Sequence, residues 1–154
     1  MKGLPHLEVS VRDQLLEVLE DGKAIHSFPV STSRFGTGFE EGSNRTPTGN
    51  FVISEKHGGG APLATIFKGR IPVGVCDLAD PSEDDGILTR ILRLDGRDGE
   101  NSNSYRRYIY IHGTNHENLI GQPASIGCIR MRNEDVAALY DLIPVGATVH
   151  ISAD

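Results

Sequence analysis

Eighteen glycines and eight prolines are spread through 154 residues, so few stretches run long enough without a breaker to hold a helix. The intervals between breakers alternate instead. Leu7, Val9 and Val11 are separated by Glu8 and Ser10, the period of a strand with one buried face. Arg12-Asp13-Gln14 reads as a tight connection into a second strand, Leu15 to Glu20. Asp21-Gly22 is a hairpin turn, after which Lys23 to Ser31 returns as a third strand, completing a β-meander. The Gly-, Ser- and Thr-rich segment from Thr32 to Gly49 predicts a long loop, and Asn50 to Ser54 a short strand. Further loops are expected at His57 to Gly60 and at the acidic segment Pro81 to Gly86. Ile87 to Leu94 fits strand or helix by periodicity, and the Asp95-Gly96 turn signal decides for strand. The polar run Asp95 to Arg107 predicts surface loop, and Tyr108-Ile109-Tyr110-Ile111 is the strongest β segment of the chain.

One helix is expected, near 134–143. Asn133 is placed to cap it, Glu134 and Asp135 lie where the helix dipole favours acids, and Val136, Ala137, Leu139, Tyr140 and Ile143 form an apolar stripe. Pro144 and Gly146 end the helix, and Ala147 to Ser152 makes a last strand. The reading is a mostly β single domain over residues 1–154, a length able to bury about 70% of the unfolded chain's surface.

Composition excludes several classes. With 38% hydrophobic residues and a net charge of -6, the chain is not of disordered composition. No apolar run approaches the roughly 18 residues of a membrane helix, so no membrane span is expected. The basic cluster Arg90, Arg93, Arg97, Arg106 and Arg107 is interleaved with Asp95, Asp98 and Glu100, which reads as a solvated loop rather than a nucleic-acid surface. The start, MKGLPHLEVSVRDQ, has no basic segment followed by an apolar one, which predicts a cytoplasmic protein, or a periplasmic one if a signal has been removed. The sequence does not determine oligomeric state.

Two cysteines make no disulfide framework. Cys76 adjoins the apolar run Ile71 to Val75 and reads as a buried structural residue. Cys128 is different in context. A strand delivers His112 to its end, and sixteen residues later Ser125-Ile126-Gly127-Cys128 precedes the helix. A histidine can populate the thiolate that a cysteine needs as nucleophile, and the amides of Gly127 and Cys128 are candidate oxyanion donors. Arg130 can hold a carboxylate or lower the thiol pKa. A metal site from His112, His116 and Cys128 is the competing chemistry. Gly113-Thr114-Asn115 is poor helix, and no CxxC or HExxH accompanies it, so no metal and no cofactor is expected. His6, His26, His57 and His150 carry no motif.

The stretch His112 to Met131 resembles the signature of the L,D-transpeptidase catalytic (YkuD-type) family, with His112-Gly113-Thr114, Ile120-Gly121 and Ser125-Ile126-Gly127-Cys128-Ile129-Arg130-Met131. Arg45-Thr46-Pro47-Thr48-Gly49-Asn50-Phe51 is similar to the family's TPTG-x-F element, and Pro29 to Thr32 matches the strand before it. The resemblance covers nearly the whole chain. It implies a β-sandwich-like fold and cysteine acyl transfer on peptidoglycan stem peptides, with Cys128 attacking the L-centre carbonyl of meso-diaminopimelate and His112 as base and then acid. Gly127 and Cys128 amides would hold the oxyanion, and Arg130, with Gly113, Thr114 and Ser125, would line the substrate side. Water resolving the thioester gives an L,D-carboxypeptidase of murein recycling, the reading favoured with cytoplasmic location. An amine resolving it gives a 3-3 cross-linking transpeptidase, and a third reading is an inactive murein-peptide binding domain. One departure stands out, since Ile126 occupies a place where many members carry His.

Overall fold

The computed structural model describes residues 3–79 and 86–154, so the expected acidic loop at 81–86 lies, except for Gly86, outside the described residues. The meander appears as β1 (His6–Ser10), β2 (Leu15–Glu20) and β3 (Lys23–Pro29). Leu7, Val9, Leu16 and Val18 point inward at 1% exposure or less, as the alternation requires. Asp21 and Gly22 both take positive φ (50° and 79°), the backbone of a tight two-residue hairpin whose twist matches its strands.

The chain continues through β4 (Gly49–His57), β5 (Thr65–Lys68), β6 (Ile71–Val75), β7 (Ile87–Gly96), β8 (Tyr110–Gly113) and β9 (Ile129–Met131). It ends with helix α1 (Asn133–Leu142) and β10 (Thr148–Ser152). β10 slots between β1, to which it is parallel, and β4, giving the order β3-β2-β1-β10-β4-β7. The β5–β6 hairpin extends the sheet from the first residues of β7, while β8 and then β9 continue from the opposite edge of that strand. The sheet then returns on itself. Ser31, just past β3, pairs antiparallel with Arg130 of β9 through two backbone bonds of 2.8 Å. The layers of the expected sandwich are thus one hydrogen-bonded sheet wrapped around a core of β-strand residues plus Val136, Leu139 and Ile143 from the α1 side. Complete burial of Val136 and Leu139 stabilises this packing by about 2 kcal/mol each.

Three local expectations are corrected. Asn133 does not cap the helix. The cap position is Arg132, with no side-chain cap bond, and Asn133 is the first helical residue with its amide turned into the protein. The strand expected at Tyr108 begins at Tyr110, because Tyr108 takes a left-handed φ of 57°. The apolar run Ile71 to Val75 is not core. It is β6, which ends the β5–β6 arm of the sheet, and Ile71, Val73 and Val75 are 64%, 55% and 62% exposed; Cys76 after it is only half-buried. Apolar composition was read as burial, but β6 adds on beyond β5 and receives nothing on its outer side among the described residues. The long 32–49 segment is a loop as expected, with one isolated bridge from Ser33 to Ser125 and one within it, Thr37 to Thr46.

Candidate active site

Register brings the key side chains together. β8 and β9 run parallel with Ile111 opposite Ile129 and His112 opposite Arg130, which sets Cys128, one residue before β9, beside Tyr110. Alternation then puts Tyr110, His112, Cys128 and Arg130 on one face of the pair, with His112 one diagonal step from the thiol. The Tyr110 N–H donates to Cys128 Sγ at 3.4 Å, and the thiol donates to the Tyr108 carbonyl at 3.3 Å. The left-handed φ of Tyr108 belongs to the turn that leads this carbonyl into β8.

His112 is buried, and its Nδ1 lies 2.6 Å from the Gly113 carbonyl. A carbonyl only accepts, so Nδ1 carries the hydrogen and Nε2 is the basic nitrogen of the ring. The segment after His112 is held from behind by Asn133. Its Nδ2 donates to the Thr114 carbonyl (2.9 Å) and to Glu117 Oε2 (3.1 Å), and its Oδ1 accepts from Thr89 Oγ1 (2.5 Å). Thr89 sits at a β7 bulge with φ 73°, held there by this bond and by the Ala64 N–H donating to its hydroxyl at 2.9 Å.

The turn before the thiol depends on Gly127, whose φ of 126° lies where an L side chain is strained. Its carbonyl accepts from Thr46 Oγ1 at 3.0 Å, which ties the TPTG segment to the nucleophile. Its N–H donates to Ser125 Oγ at 3.2 Å, and that hydroxyl donates to the Cys128 carbonyl at 2.6 Å. The Gly127 N–H, expected as an oxyanion donor, is thus committed to Ser125 in this conformation.

Gly113, Thr114, Ser125 and Arg130, expected on the substrate side, are all buried, Thr114 completely. Thr114 Oγ1 accepts from the His116 N–H at 3.0 Å instead of orienting His112. A side chain at Gly113 would put Cβ 2.4 Å from Asn133 Oδ1 and 2.7 Å from the Leu88 carbonyl, which is why glycine stands there.

The surface around the thiol is supplied by loops. Cys128, Ile126, Tyr108 and Arg107 border a cleft of about 170 Å³ together with Glu41 and Arg106. Arg107 donates to the Arg45 carbonyl at 2.7 Å and to the Gly38 carbonyl at 3.3 Å, stitching the two loops over the cleft. Burial lowers its pKa, while Cys128 and Glu41, which line the same cleft, pull it back up. Arg106 reaches outward to Glu41 at 3.4 Å. The sequence reading placed Arg107 in a solvated loop, and no local signal could have separated it from Arg106. Thr46, by contrast, was visible within TPTG, though without a role. On the far side of Tyr108, Arg93 lies buried with its guanidinium 3.5 Å from the Tyr105 ring centroid and 4.9 Å from that of Tyr108. Arg93 and His57 both approach Glu55, at 3.6 Å and 3.0 Å, so this ion-pair and stacking network braces the tyrosines beside the thiol. Chemically, the constellation is a half-buried thiol with a base on its own face, a cation on the same cleft and an open approach, the parts of a cysteine acyl-transfer centre.

Comparison with known proteins agrees with that chemistry. The model of the L,D-transpeptidase catalytic domain family, YkuD, matches residues 5–151. Two Bacillus subtilis (strain 168) proteins bearing the name "Putative L,D-transpeptidase" are similar: YqjB, 32% identical over 156 residues, and YkuD, 25% identical over 148 residues. The alignments cover 100% and 96% of this chain, and 74% and 65% of those proteins. Among solved structures, an L,D-transpeptidase from Mycobacterium smegmatis superimposes with a TM-score of 0.62 at 20% identity, over 97% of this chain and 58% of that one. This likeness shows the fold. The chain therefore spans less than two thirds of that solved chain and of YkuD.

Proposed function

The chain belongs to the L,D-transpeptidase catalytic domain family, and from that premise we propose that it is a cysteine enzyme cleaving the bond between meso-diaminopimelate and the terminal D-Ala of peptidoglycan tetrapeptide stems. Carrying the proposal is the placement of Cys128 and His112 on one face of β8–β9, with Arg107 on the same cleft as the thiol. His112 Nε2 takes the thiol proton, and Sγ attacks the carbonyl carbon. Collapse of the tetrahedral adduct breaks the C–N bond, and His112 returns the proton to the departing amine of D-Ala. The Tyr110 N–H and the Arg107 charge favour the thiolate before attack and again when the C–S bond breaks. The remaining thioester is attacked by water, from which His112 removes a proton, and the C–S bond breaks to release the tripeptide and restore the thiol.

Water is favoured as the acceptor because Ile126, 48% exposed beside the thiol, brings no hydrogen-bonding group to an incoming amine. Glu41 on the same cleft supports a second reading, in which it attracts a stem-peptide ammonium that resolves the thioester into a 3-3 cross-link. Incubation with murein tetrapeptide, followed by free D-Ala and peptide masses, separates the two. Tripeptide and D-Ala alone, abolished in Cys128→Ala, support the carboxypeptidase. Dimeric peptides support the transpeptidase, and a folded protein yielding neither overturns both.

A further inference from the structure

A second pocket adjoins the first cleft across Tyr108. It has a volume of about 430 Å³, and Phe67, Ile87, Ile91 and Tyr110 form its apolar wall. Tyr108 borders both cavities and is the partition between them. Cys128 packs against the Phe67–Ile91–Tyr110 cluster that forms the pocket wall. One cation stands at it. Arg70 sits in the tight turn of the β5–β6 hairpin, where Gly69 and Arg70 take φ of 55° and 68°. Its Nη1 donates to the Tyr110 hydroxyl at 3.2 Å, and its guanidinium lies 5.9 Å from the Tyr108 ring centroid. The guanidinium is therefore held over the pocket by a rigid turn, a hydrogen bond and an aromatic face, with donors left for a ligand. Among the described residues, Glu55 is an acid whose charge acts on Arg70, and it is engaged by Tyr105, His57 and Arg93.

We propose that this pocket binds the C-terminal residue of the substrate, the terminal carboxylate on Arg70 and the side chain against Phe67, Ile87 and Ile91. The inference rests on the acyl-transfer reading above. A peptide bond poised at Cys128 sends its acyl side one way and its leaving residue the other, and the second pocket adjoins the cleft that Cys128 borders. The cleft with both signs of charge suits a diamino-acid stem. The apolar pocket with a single cation suits a residue carrying one carboxylate and an apolar side chain. A methyl group fills little of this pocket, whose volume falls within the range of about 300–1,000 Å³ of small-molecule sites. The site therefore accepts D-residues larger than alanine and favours them, by about fourfold for each methylene buried.

The test compares kcat/KM for tetrapeptide stems ending in D-Ala or D-Leu, each with a free or an amidated C-terminus, on wild type and Arg70→Gln. Arg70 lies half-buried in a hairpin turn, and thermal unfolding of the variant checks its fold. D-Leu is expected to leave faster than D-Ala, and amidation to lower kcat/KM about tenfold in wild type and little in Arg70→Gln. An equal amidation penalty in both proteins, or D-Leu leaving more slowly than D-Ala, overturns the assignment. A second measurement is independent of turnover: N-acetyl-D-leucine titrated into Cys128→Ala should shift the NMR signals of Ile87 and Ile91, and its amide should not. Turnover of stems without these effects refutes the pocket. Binding here with no stem cleaved by wild type refutes the acyl-transfer reading and leaves the pocket standing.

Discussion

Removing the Asn133 carboxamide tests whether the base is positioned from behind. In Asn133→Ala the Thr114 carbonyl, the Thr89 hydroxyl and Glu117 each lose one side-chain bond. Thr89 and Thr114 are both fully buried, so water does not replace the lost partners. Three bonds at about 1 kcal/mol each give a loss of about 3 kcal/mol, a large part of the stability of an ordinary domain. For a chain of this size that lowers Tm by about 6–12 °C. The catalytic effect follows from chain connectivity. The Gly113 carbonyl that sets the His112 tautomer is one residue from the clamped Thr114 carbonyl, so slack there moves the imidazole. A fall in kcat of tenfold or more is expected with KM for the stem nearly unchanged. Asn133→Asp keeps the acceptor for Thr89 but loses the donor to Thr114 and opposes Glu117, so it is at least as damaging, and adding Glu117→Gln recovers part of the loss. Thermal unfolding with kcat and KM for D-Ala release makes the measurement. A Tm within about 2 °C of wild type together with unchanged kcat would refute the reasoning.

Other outcomes follow from the same geometry. Gly113→Ala drives Cβ against the Leu88 carbonyl and the Asn133 amide, so it destabilises by about 1–3 kcal/mol in urea titrations despite the small change in volume. Arg107→Gln removes a cation from the Cys128 cleft, and the pH profile of thiol alkylation by iodoacetamide shifts to higher pH; an unmoved profile means that the charge does not reach the sulfur. The hydrogen bond from Tyr105, then that from His57, holds the Glu55 carboxylate below its usual range. A depressed folded pKa stabilises above the unfolded value of about 4.3 and loses that contribution as pH falls through the folded value. The stability difference between wild type and Glu55→Gln should therefore be constant near neutrality and shrink below about pH 4, as read from urea midpoints.

Local pattern alone determined much of this protein. The meander, the Asp21-Gly22 turn, the late helix and the closing strand were legible because alternation, turn chemistry and the helical stripe are short-range, each written within about ten residues. The segments carrying His112 and Cys128 were legible for the same reason, since HGT and SxGC are compact strings. What tertiary structure alone decided involves partners distant in sequence. Asn133 had every mark of a helix cap, but the fold brings Thr89 and Thr114 against its amide, and a buried amide bonds to what surrounds it. Ile71 to Val75 looked like core by composition, but where a strand falls in the sheet, not its residues, decides how much of it is covered. Arg107 and Arg106 are neighbours of one residue type in one polar loop. Only the backbone path through the left-handed Tyr108 settles which guanidinium stitches the loops over Cys128 and which reaches out to Glu41, because the field of a charge depends on its distance through space.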